Sequence, residues 1–334
     1  QRPVLLVGSQ AMVHAGQADA LAAAVDHLGI PTWLSGMARG LLGRDHQLHM
    51  RHKRRAALKS ADLVILAGVP ADFRLDYGRV IGKGARVIAV NLAVGALFKN
   101  LLPTLPVPAD SSGFLIKLAE RMPEPPAAWS AWRQTLADRD DARDAEIATM
   151  ATVEVDPVNP LRLCQGIEKA MAPASTIVVD GGDFVASASY VVRARQPLGW
   201  LDPGVFGTLG VGAGFAMAAA LCRPERETWL IYGDGAAGFS LVEFDSFVRH
   251  GLPIIAVIGN DAAWTQIARD QITLLGDDVA TNLARCDYDQ VAIGLGAVGL
   301  TIRNEDEIDA VLAQARQAAA AGRPVLINAH IGTT

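Results

Sequence analysis

Asp234, in Tyr232-Gly233-Asp234-Gly235, and Asn260, in Ile258-Gly259-Asn260, offer a carboxylate and an amide oxygen 26 residues apart. Oxygen donors of this kind suit a hard cation such as Mg²⁺, which takes few protein ligands and keeps phosphate oxygens and water for the rest of its shell. The glycines beside Asp234 leave backbone bare enough for a diphosphate to approach, and a helix starting there would add unpaired N–H groups. On its own, a Gly-Asp-Gly run does no more than end a strand.

The surrounding elements favour the chemical reading. An apolar strand, Trp229 to Tyr232, leads into the Gly-Asp-Gly turn. A helix is expected over Leu241 to Arg249, stopped by His250-Gly251 and Pro253. A second apolar strand, Ile254 to Ile258, ends at Gly259-Asn260-Asp261. In a parallel β-α-β unit both strand ends lie on one sheet edge, where ligands bind in open α/β sheets. Asp234 and Asn260 are therefore expected to meet.

The rest of the chain alternates strands and helices in the same way, which implies parallel sheets. Residues 1–121 read as one α/β domain with strands near Val4–Val7, Pro31–Leu34, Leu63–Ala67 and Arg86–Val90. Helices are expected at Ala18–Leu28, up to Ser60, and at Ser112–Arg121. Residues 122–160 read as a connector, with proline clusters on either side of a charged helix from Trp129 to Ala148. Residues 161–334 read as a second α/β domain, with further strands at Thr176–Val179, Ala297–Leu300 and Pro324–Asn328 and a Gly/Ala-rich helix from Gly210 to Leu221. Gly8, after the first strand, is followed by Ser9-Gln10-Ala11, so a GxGxxG dinucleotide fingerprint is absent.

Composition narrows the function classes. The chain has 334 residues, 51% apolar and 19% charged, enough for about two buried cores. Its net charge of −5 argues against a nucleic-acid surface. No uncharged apolar stretch is long enough to span a bilayer. Three widely spaced cysteines, Cys164, Cys222 and Cys286, form neither a disulfide framework nor a zinc pattern, and a cytoplasmic setting is expected. Gln1-Arg2-Pro3 runs straight into a strand without an initiator Met, as though the chain were cut from something longer.

The strand–GDG–helix–strand–GN arrangement resembles the signature of the thiamine diphosphate enzymes, with Gly259 in place of the first of the family's two paired asparagines. Ala61-Asp62-Leu63-Val64-Ile65-Leu66-Ala67-Gly68 with Phe73-Arg74, and Phe206-Gly207-Thr208-Leu209-Gly210, are similar to segments of the acetolactate synthase-like group. The resemblance covers essentially the whole chain. It implies a Rossmann-like middle domain followed by a thiamine diphosphate-binding domain. It further implies that Asp234, Asn260 and the Ala262 carbonyl hold Mg²⁺, and that Gly235 and Ala236 offer backbone N–H groups to the diphosphate. Gly182, Asp183 and Phe184 would follow a strand end that also holds phosphate. Gly207 would accept a hydrogen bond from the cofactor's aminopyrimidine, and Leu209 would stand beneath the thiazolium and bend the cofactor. Trp264 and Thr265 would line the site, although Trp264 could equally be packing and Leu209 core.

Three stretches look closest to the 2-hydroxyacyl-CoA lyase branch: Ala38 to Arg44, Asp72 to Arg79, and Gly259 to Gln266. Arg39, Arg44, Arg74 and Arg79 would then offer charge to coenzyme A phosphates, or else be structural. The basic run Arg51-His52-Lys53-Arg54-Arg55 reads as a solvated helix face, with a nucleotide phosphate seat as its alternative. In the family, the glutamate that activates the cofactor lies in an N-terminal pyrimidine-binding domain. Glu243 is in the wrong part of the motif to replace it, so that domain, or another chain, is expected to supply it. A homodimer or homotetramer, a small-molecule substrate (a 2-hydroxyacyl-CoA or a 2-keto acid) and no activity of residues 1–334 alone follow as expectations. The alternatives are acetolactate synthesis from pyruvate and a non-catalytic diphosphate-binding module.

Overall fold

The computed structural model describes residues 1–333, which divide into two compact units. The first holds Gln1–Glu146 with Gln196–Leu198; the second holds Ile147–Arg195 and Gly199 onward.

In the first unit β1 (Pro3–Val7), β2 (Thr32–Leu34), β3 (Leu63–Ala67), β4 (Arg86–Asn91) and β5 (Leu105–Pro108) form one parallel sheet in the order β2-β1-β3-β4-β5. β1 is buried at every position, as a strand covered on both faces must be. The helices are α1 (Ala18–Leu28), α2 (Arg54–Ser60), α3 (Val94–Leu97), α4 (Ser111–Arg121) and most of α5 (Ser130–Met150). α1 stops at Gly29, whose φ of 61° is a left-handed cap that glycine adopts at least cost. Asp110 caps α4 by accepting the Gly113 N–H at 2.6 Å. The charged α5 is not a bare connector. Its first turns place Trp132 and Leu136 in the core of this unit, and the Trp132 indole donates to the Pro3 carbonyl at 3.0 Å.

Strand order reverses between β1 and β3, the usual place for a ligand crevice. Here the loops beyond them are pressed together. A β-carbon at Gly8 would stand 2.6 Å from the Gly68 carbonyl oxygen, and one at Gly68 would stand 2.7 Å from the Ala11 nitrogen. This agrees with the missing dinucleotide fingerprint.

The second unit contains α6 (Pro160–Ala170), β6 (Thr176–Val179), α7 (Asp183–Val191), β7 (Trp200–Leu201), α8 (Gly212–Cys222), β8 (Thr228–Gly233), α9 (Asp234–Ala237), α10 (Phe244–Arg249), β9 (Ile255–Asn260), α11 (Thr265–Leu275), α12 (Tyr288–Gly294), β10 (Val298–Ile302), α13 (Ile308–Ala320) and β11 (Val325–His330). The sheet is again parallel, in the order β10-β11-β9-β8-β6-β7. β8 and β9 are buried along their whole length, sandwiched between two apolar clusters. The chain leaves β6 toward β7 on one side and returns to β8 on the other, so this sheet reverses between β6 and β8. The two α/β units with parallel sheets are those expected from the alternating pattern.

Candidate functional site

The β8–β9 register pairs Gly233 with Gly259, so Asp234 and Asn260 leave neighbouring strands side by side. β11 lies on the other flank of β9 and pairs His330 with Asn260. Both side chains are enclosed: Asp234 is 2% exposed and Asn260 is fully buried.

Each presents one buried oxygen without a hydrogen-bond partner, Asp234 Oδ2 and Asn260 Oδ1. An unpaired buried acceptor costs about 1–3 kcal/mol, and such groups are uncommon in folded proteins. The rest of each side chain is fixed. Asp234 Oδ1 accepts the Gly235 N–H at 2.8 Å. Asn260 Nδ2 donates to the Cys286 carbonyl and to Asn328 Oδ1, both at 3.1 Å. Burial, together with the nearby Asp261 carboxylate, pushes the Asp234 carboxyl up to about 6, against the pull of the Gly235 and Ala262 N–H groups. Two orphan oxygens on residues at the ends of neighbouring strands, one on a carboxylate whose charge is costly, fit a cation. Among the described residues no cluster of three or more His, Cys, Asp or Glu has metal-ligand spacing. A site here would therefore rest on these two side chains plus backbone and ligand oxygens.

The turn after β9 completes one wall. Ala262 adopts a left-handed φ of 57°, unusual for a residue with a side chain. Its carbonyl accepts the Leu283 N–H at 2.7 Å, which leaves one lone pair for a metal. Thr265 Oγ1 donates to Asp261 Oδ2 at 2.6 Å and so braces the turn. The Trp264 ring lies on Gly235, whose missing β-carbon would be 2.5 Å from it.

The segment after the Gly-Asp-Gly turn folds in shorter pieces than one continuous helix. The expected helix over Leu241–Arg249 is a 3₁₀ turn, Leu241–Glu243, followed by α10, and Asp234 opens the separate single turn α9. The Gly235 N–H, expected to face a diphosphate, is engaged by Asp234 Oδ1. Ala236 is buried within α9. What the turn does provide is bare backbone. The Gly181 carbonyl accepts the Gly233 N–H at 2.8 Å, and a β-carbon on Gly182 would come within 3.0 Å of Gly233 Cα. Gly182 has a φ of 115°, a conformation L side chains rarely adopt.

Asp183 starts α7, and its carboxylate accepts from Arg269 at 2.8 Å. Phe184 follows it, but its ring is 2% exposed and belongs to the apolar core, so only its backbone faces this edge. The ring fits because position 259 is glycine: a β-carbon there would overlap it. The substitution of Gly259 for the family's first asparagine is thus matched by the packing beneath it.

Gly207 sits in an exposed turn with a left-handed φ of 58°. Leu209 is half-buried, and its side chain lies over Gly181 in space a β-carbon there would need. The turn is tied down by Asp180, at the end of β6, a role that no local sequence pattern signals. Its carboxylate accepts the Gly210 N–H at 3.0 Å and the Gly212 N–H at 2.8 Å, while burial raises its pKa. The structure therefore gathers Gly182, Asp183, Leu209, Asp234, Gly235, Asn260, Ala262 and Trp264 around one edge of the sheet.

Comparison with known proteins agrees with this geometry. Residues 1–118 match the central domain of the thiamine pyrophosphate enzymes, and residues 180–329 match their C-terminal TPP binding domain. The chain belongs to the thiamine pyrophosphate enzyme family. It is 48% identical to 2-hydroxyacyl-CoA lyase 2 of Bos taurus over all of its own length and 54% of the relative's. It is 47% identical to 2-hydroxyacyl-CoA lyase 2 of Homo sapiens, with the same coverage. Against the acetolactate synthase large subunit IlvG of Mycobacterium tuberculosis the identity is 34%, over 98% of this chain and 59% of the relative. The chain spans about half the length of the curated relatives it matches.

Most of the basic side chains considered for phosphate contacts in the first unit are already engaged. Arg74 makes a two-point contact with Asp72, at 3.0 and 2.6 Å. Arg51 and His52 meet Asp144, Arg54 donates to the Arg74 carbonyl, and Arg55 meets Asp76. Arg79 lies 3.8 Å from Asp76 and Arg44 lies 3.8 Å from Asp45. The structural reading of this cluster is favoured over a phosphate seat, except at the exposed Arg55 and Arg79, whose weak ion pairs exchange readily.

Proposed function

We propose that the chain forms the central and diphosphate-binding parts of a thiamine diphosphate- and Mg²⁺-dependent enzyme that cleaves a 2-hydroxyacyl-CoA into an aldehyde and formyl-CoA. The observation that carries the metal assignment is the pair of orphan oxygens, Asp234 Oδ2 and Asn260 Oδ1, on adjoining strand ends. They would hold Mg²⁺ against the diphosphate, with the remaining lone pair of the Ala262 carbonyl as a third protein ligand. Gly181, Gly182 and Gly233 keep the facing backbone bare, and Leu209, anchored through the Asp180-braced turn, would support the cofactor ring. When bound, thiamine diphosphate supplies a carbon nucleophile and an electron sink for the C–C bond that breaks.

The lyase branch is favoured by 48% identity to a 2-hydroxyacyl-CoA lyase against 34% to an acetolactate synthase. In this reading the activating glutamate comes from a further domain or a second chain, and the working form is a homo-oligomer. A cytoplasmic location belongs to the same proposal and rests on three free thiols. The test is a parallel assay of the complete natural protein with a 2-hydroxyacyl-CoA and with pyruvate. Aldehyde and formyl-CoA from the thioester are expected. Acetolactate from pyruvate, with the thioester untouched, would overturn the lyase assignment and leave the cofactor assignment standing.

A further inference from the structure

Asn328 is a fully buried polar residue in β11, flanked by apolar Val325–Ile327 and Ala329. Its Nδ2 donates to the Cys286 carbonyl at 3.0 Å and to Asp289 Oδ1 at 3.2 Å. A peptide carbonyl and a carboxylate can only accept, so the nitrogen of the Asn328 amide must be the end that faces them. Its oxygen is thereby turned toward β9, where it accepts from Asn260 Nδ2 at 3.1 Å. Asn260 Nδ2 also meets the Cys286 carbonyl, a second group that only accepts. With its nitrogen held at two points, the Asn260 amide has one orientation, and Oδ1 is its unpaired end. Asp289 is held in turn by Gln290 Nε2 at 2.8 Å. The chain of donors and acceptors runs from α12 through β11 to β9 without a reversible link.

We propose that Asn328 and Asp289 are positioning residues that fix the amide polarity of Asn260, so that an oxygen rather than an NH₂ group faces the metal position. This rests on the assignment of Asn260 as a metal ligand. An Asn side chain offers an acceptor or a donor to the same point according to how its amide is turned, and the donor end repels a cation. Outer partners that orient metal ligands are worth about 10–100-fold in metal affinity.

The test is Mn²⁺ affinity, read by electron paramagnetic resonance in the presence of thiamine diphosphate, on the complete natural protein. Asn328→Leu keeps the volume and removes the acceptor, and it should weaken Mn²⁺ binding about 10–100-fold. Asn328→Ser, whose hydroxyl can accept from Asn260 while donating toward Asp289, should lose clearly less affinity than Asn328→Leu although it leaves the larger packing defect, the reverse of what lost packing would produce. Asp289→Asn, at the far end of the chain, leaves the Asn328 nitrogen held by the Cys286 carbonyl alone and should weaken binding measurably, by less than Asn328→Leu, even if Asn328→Leu fails to fold. Wild-type affinity in Asn328→Leu or in Asp289→Asn, or an equal loss in both Asn328 variants, overturns the proposal. Asn260→Ala separates this from the parent assignment. If it binds Mn²⁺ like the wild type, Asn260 is not a ligand and both fall. If it loses binding while Asn328→Leu does not, only the positioning role falls.

Discussion

The Phe184 ring occupies the space that any side chain at position 259 would need. Phe184 lies in the first turn of α7, after β6, and its ring packs on Gly259 of β9, so one residue couples the β6 and β9 ends. Gly259→Ala should cost about 1–3 kcal/mol as overpacking, seen as a lower Tm. The double variant Gly259→Ala/Phe184→Leu should be more stable than the sum of the single effects. Strict additivity in that cycle would show that the two positions are not in conflict.

Asp180 is the anchor of the Gly207–Gly212 turn. Asp180→Ala should free the Gly210 and Gly212 N–H groups and lower stability by about 1–3 kcal/mol. It should also weaken thiamine diphosphate binding, because Leu209 loses its support over Gly181. Calorimetry that finds cofactor affinity unchanged in a folded Asp180→Ala protein would remove this role.

The Asp234 carboxyl, pushed up to about 6 by burial and by Asp261, gives a pH dependence with a definite sign. Its folded pKa lies above the unfolded value of about 3.9, so between these values the native state binds more protons. In the metal-free protein its contribution to stability therefore falls as pH rises from about 4 through 6 and is at its worst above that. Asp234→Asn should raise the apo Tm at pH 7.5 and leave it unchanged near pH 4, by an amount on the order of 2 kcal/mol at the higher pH. Mg²⁺ should reverse the ranking at pH 7.5 by stabilising only the carboxylate form. An apo Asp234→Asn protein that is less stable at both pH values would contradict the cause assigned to the shift.

Much of this was legible in the residues, and the gaps have a common physical origin. β8 and β9 read clearly because fully buried parallel strands are unbroken apolar runs. The meeting of Asp234 with Asn260 then follows from parallel order alone. What was not legible depends on contacts distant in sequence. Asn328 sits in a run that looks like plain core, and nothing local shows that its partners are Asn260 and Asp289. Its one signal was an amide inside an apolar strand, where a buried polar group needs partners. The engagement of the Ala262 carbonyl by Leu283, and of the Thr265 hydroxyl by Asp261, depends on how the turn after β9 folds. That the Phe184 side chain turns into the core, while Gly182 and Asp183 stay at the sheet edge, depends on how α7 starts and packs over Gly259.

Arg74 provides a check on the first unit. Its two-point contact with Asp72 is partly buried, so Arg74→Ala should lower stability by about 1–3 kcal/mol. The KM for a CoA thioester should change less than twofold in the complete protein. A large KM increase with unchanged Tm would restore Arg74 as a phosphate contact.

The most direct test of the central assignment is anomalous diffraction from crystals of the complete natural protein grown with Mn²⁺ and thiamine diphosphate. The expected result is one Mn²⁺ within about 2.2 Å of both Asp234 Oδ2 and Asn260 Oδ1, with diphosphate oxygens in the same coordination shell. A metal bound to the diphosphate but away from either oxygen, or a diphosphate lodged at another edge of the sheet, would contradict it.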